Sequence, residues 1–407
     1  MPLKLSFHRT LPFILLFSAS AWLPAMPAAA SEVDFEKNIN VLEQTINTLE
    51  KGTAHVTGLF TRRADSQDAA DTTGIDTEAV EVEMIVFGRT LRMELLPFNI
   101  FAPGAKVVRV TDNGSFEEPA TANTYRGVVI GFPESVVAVS IREGIPEGLM
   151  LVDDDVYLIR RALRSETSVA PGELIALRGS AQKMGLTAIA PAEVFNLLDI
   201  AAVADFEYFQ LHGSDASDQI ASVINQVDAV YKSEIETGIQ ILTTMVFETS
   251  LDPFSNFNSG NLFIDFRDTT IEFGDWRAAQ SGDLSTAGLG HLFSNKFGIN
   301  AGFGFINVLC SASTGVSIST TNYVSLHPLI IEHEFGHNFG AGHDGEAGGT
   351  CANAPPGFIM ASAATGTTFS DCSKTIMRAN RDLAVCISQP DHTIFADGFE
   401  SGATGTE

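Results

Sequence analysis

The chain has 407 residues, of which 45% are hydrophobic, and a formal net charge of −26 at pH 7. This length and apolar content are enough for two globular units with ordinary cores. The strong negative charge argues against nucleic acid or an anionic membrane surface as a partner.

The first thirty residues have the pattern of an export signal. A basic segment at 4–9 precedes an apolar stretch at 11–23, and three alanines at 28–30 give a small-residue cleavage site. The alternative is an uncleaved membrane anchor, but the apolar stretch is short and contains Pro12. No other apolar run is long enough to cross a bilayer. We therefore expect a signal peptide over 1–30 and a secreted or extracellular protein, in the periplasm or at the cell surface in some settings, without stable membrane insertion.

The next part of the chain is predicted to be rich in β-strands. Apolar and polar residues alternate in Val80–Met84 and in Leu91–Leu95, with Gly88 between them, which predicts a half-buried hairpin. Further strands follow through Tyr157–Ile159. We expect a β-rich domain over 31–190.

The pattern changes at about Val194. Phe195–Val203 is predicted to be a buried strand, Asp218–Glu236 a helix with one apolar face, and Ile239–Phe247 another strand. A strand, a helix and a strand in this order imply a right-handed crossover and a mostly parallel, twisted sheet. The second domain, over 194–390, is therefore expected to be of the α/β (α+β) class.

The segment from His333 to His343 has the spacing of a zinc site. His333 and His337 are four residues apart, so on a helix they project from one face and can reach one metal ion. Glu334 lies beside that face, where it can contact a metal-activated water without being a ligand. Gly340 suits a sharp turn with positive φ that ends the helix and returns His343 to the metal.

Three imidazoles leave the fourth position of a zinc ion open, which is typical of catalytic sites. We therefore expect one catalytic Zn²⁺, with His333, His337 and His343 as ligands on and after a helix over Leu326–Phe339. The alternative is a chance match on an ordinary amphipathic helix. The extended pattern, which continues to Asp344, argues against it.

With Asp344 after the third histidine, this motif resembles that of the metzincin zinc metalloproteases, in their adamalysin (reprolysin) branch of ADAM and snake-venom enzymes. Met360 resembles the methionine of the family's turn beneath the metal. The segments 291–294, 302–310 and 369–373 also resemble the family. The resemblance implies a metzincin fold and a zinc metalloendopeptidase that acts on proteins or peptides through zinc-activated water, with Glu334 as general base. It also implies that substrate lies along an edge strand over 303–309.

All four cysteines lie in the last quarter of a chain with an export signal, which favours disulfides. Four cysteines allow three pairings, and the sequence alone does not choose among them. The family resemblance implies Cys310 with Cys386 and Cys351 with Cys372. A thiolate metal site is the alternative, but no C-x-x-C spacing is present.

Short motifs in the β-rich part resemble the reprolysin-type propeptide, namely Tyr125–Gly127, Gly131–Ser135 and Gly148. Residues 31–190 are therefore predicted to be a prodomain of a zymogen and a partner of the catalytic domain. An unrelated β-rich binding domain is the alternative. No cysteine precedes Cys310, so a prodomain thiolate cannot cap the zinc in this chain.

Asp199 falls near an acidic calcium ligand of the family. However, Gln389 stands where the family has asparagine, and no acidic ligand is evident near Gly288, so the sequence does not favour a structural Ca²⁺ site. His291 and His327 are expected to be packing residues and not further metal ligands.

The acidic, glycine-containing tail over 391–407 is expected to be flexible, and it resembles an ending of exported proteins in Gram-negative bacteria, which suggests a bacterial source. Two other functions remain open. The chain could be a secreted binding or adhesion protein that keeps a metzincin fold without turnover, or a zinc amidase with a non-protein substrate.

Overall fold

A computed structural model describes residues 50–63, 78–153, 155–161, 174–180, 196–255, 257, 259–297, 299–320, 327–362 and 366–388. The predicted signal peptide, the predicted tail and Gln389 lie outside these residues. Among the helices of the described ranges, none is long and apolar enough to cross a membrane.

The described residues of the N-terminal part form ten strands: β1 (Glu50–Arg63), β2 (Glu78–Val86), β3 (Arg89–Pro97), β4 (Phe101–Thr111), β5 (Gly114–Pro119), β6 (Thr124–Val129), β7 (Phe132–Arg142), β8 (Ile145–Val152), β9 (Asp155–Arg161) and β10 (Leu174–Ser180). Eight of them form a closed antiparallel barrel in the order β1-β10-β9-β8-β7-β6-β3-β2. The predicted hairpin is β2–β3, with Val82, Met84 and Leu95 inside the barrel. Alternation with a period of two thus places one face of each strand in the barrel core.

Strands β4 and β5 leave the barrel. They form an antiparallel hairpin whose strand β4 pairs in parallel with a strand of the second sheet. The sequence predicts only further strands in this part of the chain, so the sheet to which a strand belongs does not follow from its sequence position.

The C-terminal part contains the strands β11 (Asn196–Ala204), β12 (Thr237–Phe247), β13 (Leu289–Ser294), β14 (Ala301–Gly304), β15 (Val316–Thr320) and β16 (Ile387–Ser388), and the helices α1 (Phe206–His212), α2 (Ala216–Ile235), α3 (Leu262–Ala278), α4 (Asp283–Thr286), α5 (His327–Asn338) and α6 (Asp371–Leu383). The sheet order is β14-β15-β13-β11-β12-β4-β5, with β16 beside β11. The pairings from β15 through to β4 are parallel, and β14, β5 and β16 are antiparallel to their neighbours. The structure is a mixed sheet with helices, which confirms the α/β prediction at this level.

Helix α2 is the predicted helix, and its apolar face is buried as expected. Its polar residues Gln219, Ser222, Asn225 and Gln226 are also buried, because the barrel strands β7 and β8 pack on that side. A helix that looks amphipathic in the sequence is thus enclosed on both sides. This second contact depends on residues distant in the chain, which the helical pattern does not reveal.

Two disulfides are present, Cys310–Cys386 and Cys351–Cys372. Since the chain has four cysteines, no thiolate is left for a metal. The first disulfide joins the segment after β14 to the segment after α6, and the second joins the loop after the third histidine to the start of α6.

We expect non-reducing peptide mapping of the purified protein to recover these two pairs and no others. The pair that closes the longer loop, with a sequence separation of 76 against 21, should stabilise the metal-free protein more, by about 1 kcal/mol in the chain-entropy description. The measurement is the free energy of unfolding of the double Cys→Ser variants C310S/C386S and C351S/C372S. A mixed pairing in mapping, or a larger loss from the short loop, would contradict this account.

Candidate metal centre

The zinc-site motif lies on helix α5 and on the turn that ends it. Gly340 has φ of 100°, and its amide donates to the carbonyl of His337 at 2.8 Å, while the amide of Ala341 donates to that of Gly336 at 3.0 Å. These two hydrogen bonds are those of a Schellman ending, which needs a residue that tolerates positive φ. A Cβ atom at Gly340 would also lie 2.0 Å from the side-chain Nδ2 of Asn380. Gly340 therefore ends the helix, as the sequence predicts.

The turn brings three imidazoles together. Nε2 of His333 and Nε2 of His337 each lie 3.2 Å from Nε2 of His343. Within the described residues, this is the group of histidine, cysteine and acidic side chains that could hold a metal ion. The structure thus places the three predicted ligands around one point.

Backbone carbonyls fix the orientation of two of these rings. Nδ1 of His333 lies 2.7 Å from the carbonyl oxygen of Ile359, and Nδ1 of His337 lies 2.8 Å from that of Ala341. A carbonyl only accepts, so each Nδ1 carries the proton and each Nε2 of the neutral ring presents a lone pair. Burial lowers the pKa of His333 to about 4, although the hydrogen bond to Ile359 opposes this, and burial together with the neighbouring imidazoles holds the pKa of His337 well below its usual value. Both rings are therefore set as neutral ligands.

This geometry fits zinc. Tetrahedral Zn²⁺ with bonds of about 2.05 Å to nitrogen separates its ligand nitrogens by about 3.3 Å, close to the spacing found here. Lone pairs facing one another do not satisfy each other, whereas a cation at their centre satisfies all of them. The carbonyl partners of His333 and His337 are the kind of outer contact that orients metal-binding histidines.

Glu334 is 5% exposed and lies under strand β14. A Cβ atom at Gly302 would lie 2.6 Å from Cγ and Oε1 of Glu334, and one at Gly304 would lie 2.7 Å from its backbone oxygen. The two glycines thus allow the strand to approach the helix at the carboxylate. Burial raises the pKa of Glu334 well above its usual value, as expected for a group that accepts and returns a proton. Sequence reasoning missed these glycines, although the alternation Gly302-Phe303-Gly304 is visible.

Met360 is fully buried beneath helix α5. A Cβ atom at Gly336 would lie 2.3 Å from the sulfur of Met360, so this glycine allows the thioether to pack directly on the helix backbone. The neighbouring carbonyl of Ile359 is the one that orients His333. The segment around Met360 is thus a floor for the histidines, as the resemblance implies, and Met360 is not among the grouped metal-binding atoms.

Asp344 fastens the loop after the third histidine. Its Oδ1 accepts from the hydroxyl of Ser370 at 2.8 Å and from that of Ser373 at 3.0 Å, and its amide donates to the carbonyl of Met360 at 2.8 Å. Ser370 also caps the N-terminus of α6 by accepting from the amide of Ser373 at 3.1 Å. Asp344 therefore joins the loop that carries His343 to the last helix.

The edge strand is shorter than predicted. Strand β14 covers Ala301–Gly304, whereas the prediction extended it over 303–309, which is wrong for 305–309. Asn307 has a positive φ of 59°, and its amide donates to the carbonyl of His337 at 2.9 Å. The side-chain Nδ2 of Asn338 donates to the carbonyl of Phe305 at 2.9 Å. These bonds turn the chain onto the end of α5, so residues 305–309 hold the helix and do not continue the strand.

The remaining predicted residues lie away from the three imidazoles. His291 is bonded on both ring nitrogens, to Ser317 at 2.8 Å and to Ser319 at 2.7 Å, and Ser319 in turn lies 2.7 Å from Nε2 of His327. Both histidines are packing residues in a buried hydrogen-bonded network. Asp199 accepts from Nε2 of Gln240 at 2.6 Å, which accounts for the carboxylate as a polar residue of strand β11.

The three histidines lie in a region whose sequence matches known metallopeptidases. Residues 196–373 match the sequence model Reprolysin_5 of metallo-peptidase family M12. The chain is 23% identical over 275 residues to the rat (Rattus norvegicus) disintegrin and metalloproteinase domain-containing protein 1, covering 61% of this chain and 34% of that protein. It is 30% identical over 165 residues to the zinc metalloproteinase-disintegrin-like brevilysin H2a of Gloydius brevicauda, covering 38% of this chain and 36% of that protein.

The chain therefore spans about a third of the length of these curated relatives. A human (Homo sapiens) relative, disintegrin and metalloproteinase domain-containing protein 9, is 26% identical over 211 residues, covering 49% of this chain and 24% of that protein. None of these three relatives is bacterial, so they give no support to the source suggested by the tail. The region 196–373, with its three convergent histidines, belongs to the adamalysin/reprolysin type of the M12 metallopeptidases.

Proposed function

We propose that this protein is an exported zinc-dependent endopeptidase that hydrolyses peptide bonds in protein substrates. The observation that carries the proposal is the convergence of three imidazoles beside the buried carboxylate of Glu334. A bound zinc ion would act there as a Lewis acid on the scissile carbonyl and lower the pKa of a water molecule. His333, His337 and His343 would hold the ion.

Glu334 is assigned the role of general base. Its carboxylate takes a proton from the attacking water and then delivers it to the leaving amine. Burial raises the pKa of Glu334, so its protonated form is closer in free energy to its ionised form than in water. The side chain can therefore both take and return a proton. The same carboxylate is the feature that a binding protein without turnover would not need.

The substrate is proposed to lie extended beside β14 and to add a strand through main-chain hydrogen bonds. Strand β14 is at the end of the sheet order, so one of its edges is not paired with a strand of this sheet. Gly302 and Gly304 bring one face of β14 directly against Glu334, beside that edge. A peptide backbone aligned on β14 would then pass over the carboxylate.

A direct test of the function is incubation of the protein with a diverse peptide mixture, with and without a zinc chelator, followed by sequencing of the products. We expect internal cleavage that stops when zinc is removed and returns when zinc is restored. Products from small amides but not from peptides would favour the amidase alternative. No turnover of either class by zinc-loaded protein would favour a binding protein.

We expect Glu334→Gln to reduce peptide hydrolysis by about two to four orders of magnitude, because the amide cannot take the proton. Zinc content should be unchanged, since the three imidazoles are intact. The measurements are metal analysis and peptide cleavage on the same sample.

Glu332→Gln is the matched control. It makes the same change two residues away in α5, where the carboxylate is also buried, lies near Glu234 and is not among the grouped metal-binding atoms. We expect this variant to keep activity within about threefold of the wild type. Equal losses in both variants would show that any change in this helix is harmful and would remove the support for Glu334 as the base.

We expect Gly302→Ala to lower turnover on the order of a hundredfold, because the new methyl group would displace the carboxylate of Glu334 and small displacements in a catalytic site are costly. Zinc binding should persist, which distinguishes this effect from loss of the metal site. Gly302→Val should lower turnover further, because its larger side chain would displace the carboxylate more. Full activity in the alanine variant would mean that Glu334 need not occupy the observed position.

A further inference from the structure

Strand β4 forms a long parallel pairing with strand β12. The paired residues run from Lys106 with Thr243 to Val110 with Phe247, after an irregularity that follows the pairing of Phe101. The amide of Ile241 donates to the carbonyl of Ile100 at 2.9 Å, and the amide of Glu248 donates to that of Val110 at 2.8 Å. If the N-terminal part left, these bonds would be lost and β12 would become an unpaired edge.

Charged side chains reinforce the contact. Nη2 of Arg126 lies 2.7 Å from Oδ2 of Asp228, whose side chain is 1% exposed, and the other oxygen of Asp228 accepts from the amide of Ile239 at 2.8 Å. Nη1 of Arg109 lies 2.9 Å from Oε1 of Glu248. Nζ of Lys232 lies 3.0 Å from the same oxygen of Asp228, so Arg126 and Lys232 share this buried carboxylate. Departure of the N-terminal part would remove Arg126 from it, and loss of a charged partner from a buried carboxylate is unfavourable.

The apolar core is continuous across the same boundary. Val136, Ala138, Leu149 and Leu151 of the barrel belong to one buried cluster with apolar residues of α2, of β11 and of the zinc-binding helix. Polar residues of α2 face the barrel too, and Nδ2 of Asn225 donates to the carbonyl of Val139 at 3.2 Å. Shared cores are typical of permanent interfaces, whereas partners that separate meet through more polar surfaces that are stable in water.

The added strands are remote from the edge assigned to substrate. In the sheet order, β14 is at one end and β5 is at the other. Strands β4 and β5 therefore complete the sheet without taking the place of a peptide on β14.

We propose that the active enzyme keeps residues 78–161 as a permanent part of the catalytic fold and does not release them on maturation. The hairpin β4–β5 completes the sheet, and the barrel covers the polar side of α2. The statement that the retained form is active rests on the proposed peptidase function, whereas the retention itself does not.

A disulfide lock tests the proposal. Val108 and Met245 are directly paired across β4 and β12, and the four native cysteines are already in disulfides, so V108C/M245C adds one identifiable bond. We expect the oxidised double variant, with the new bond verified by peptide mapping, to cleave peptide within about twofold of each single variant. A loss of more than tenfold in the locked protein alone would mean that activity requires the strands to separate, which would overturn the proposal.

A cleavage test covers the case in which the engineered bond does not form. A recognition sequence for a specific protease is placed between Ser180 and Asn196 of the full chain, and the cut protein is analysed by native size exclusion. We expect the two fragments to elute together and to keep the activity of the uncut chain. With Asp228→Asn in the same background, they should separate at a lower denaturant concentration, because Arg126 loses its charged partner.

Separation of the fragments in native buffer, with cleavage activity in the C-terminal fragment alone, would overturn the proposal. If no form of the protein cleaves peptide, the peptidase proposal fails. Co-elution of the cut fragments would then still support retention, and their separation would still overturn it.

Discussion

The burial of helix α2 on all sides is the constraint on which the rest of the structure depends. One side of the helix packs on the sheet, and another contacts the zinc-binding helix, where the hydroxyl of Tyr231 donates to the carbonyl of Glu332 at 2.9 Å. The rings of Phe335 and Phe339 pack against Tyr231. The barrel covers the polar residues that remain. Because a close-packed interior transmits displacement, the position of the metal ligands is linked to the barrel through this one helix.

The parts of the site that depend on local spacing were predictable from the sequence. His333 and His337 share a face because they are one helical turn apart, and Gly340 ends the helix because it accepts a positive φ. The close approach of Gly302 to Glu334 was not predictable in this way. It depends on a strand that lies about thirty residues earlier in the chain, and a glycine in a strand has many explanations until its neighbour is known.

The division of the chain into a β-rich part and an α/β part was also visible, but the sheet to which each strand belongs was not. The sequence of β4 indicates a strand, and many sheets can accommodate it. The buried Asn225 and Gln219 would have been assigned to the solvent-facing side of an amphipathic helix. Their partners lie in barrel strands far away in sequence, such as Val139 and Arg142, so only the tertiary structure reveals why polar residues are needed there.

The pairing of the hairpin β4–β5 with strand β12 limits how such a protein can change over evolutionary time. A catalytic domain with a self-contained sheet can be joined to new neighbours by gene fusion, because its surface is already suited to water. Here, the edge of β12 and the barrel side of α2 are suited only to their present partner. Substitutions in the two regions must therefore be compatible with each other, and a recombination event between Ser180 and Asn196 that replaced one region would expose an adhesive strand edge. The two regions are expected to be inherited as one unit.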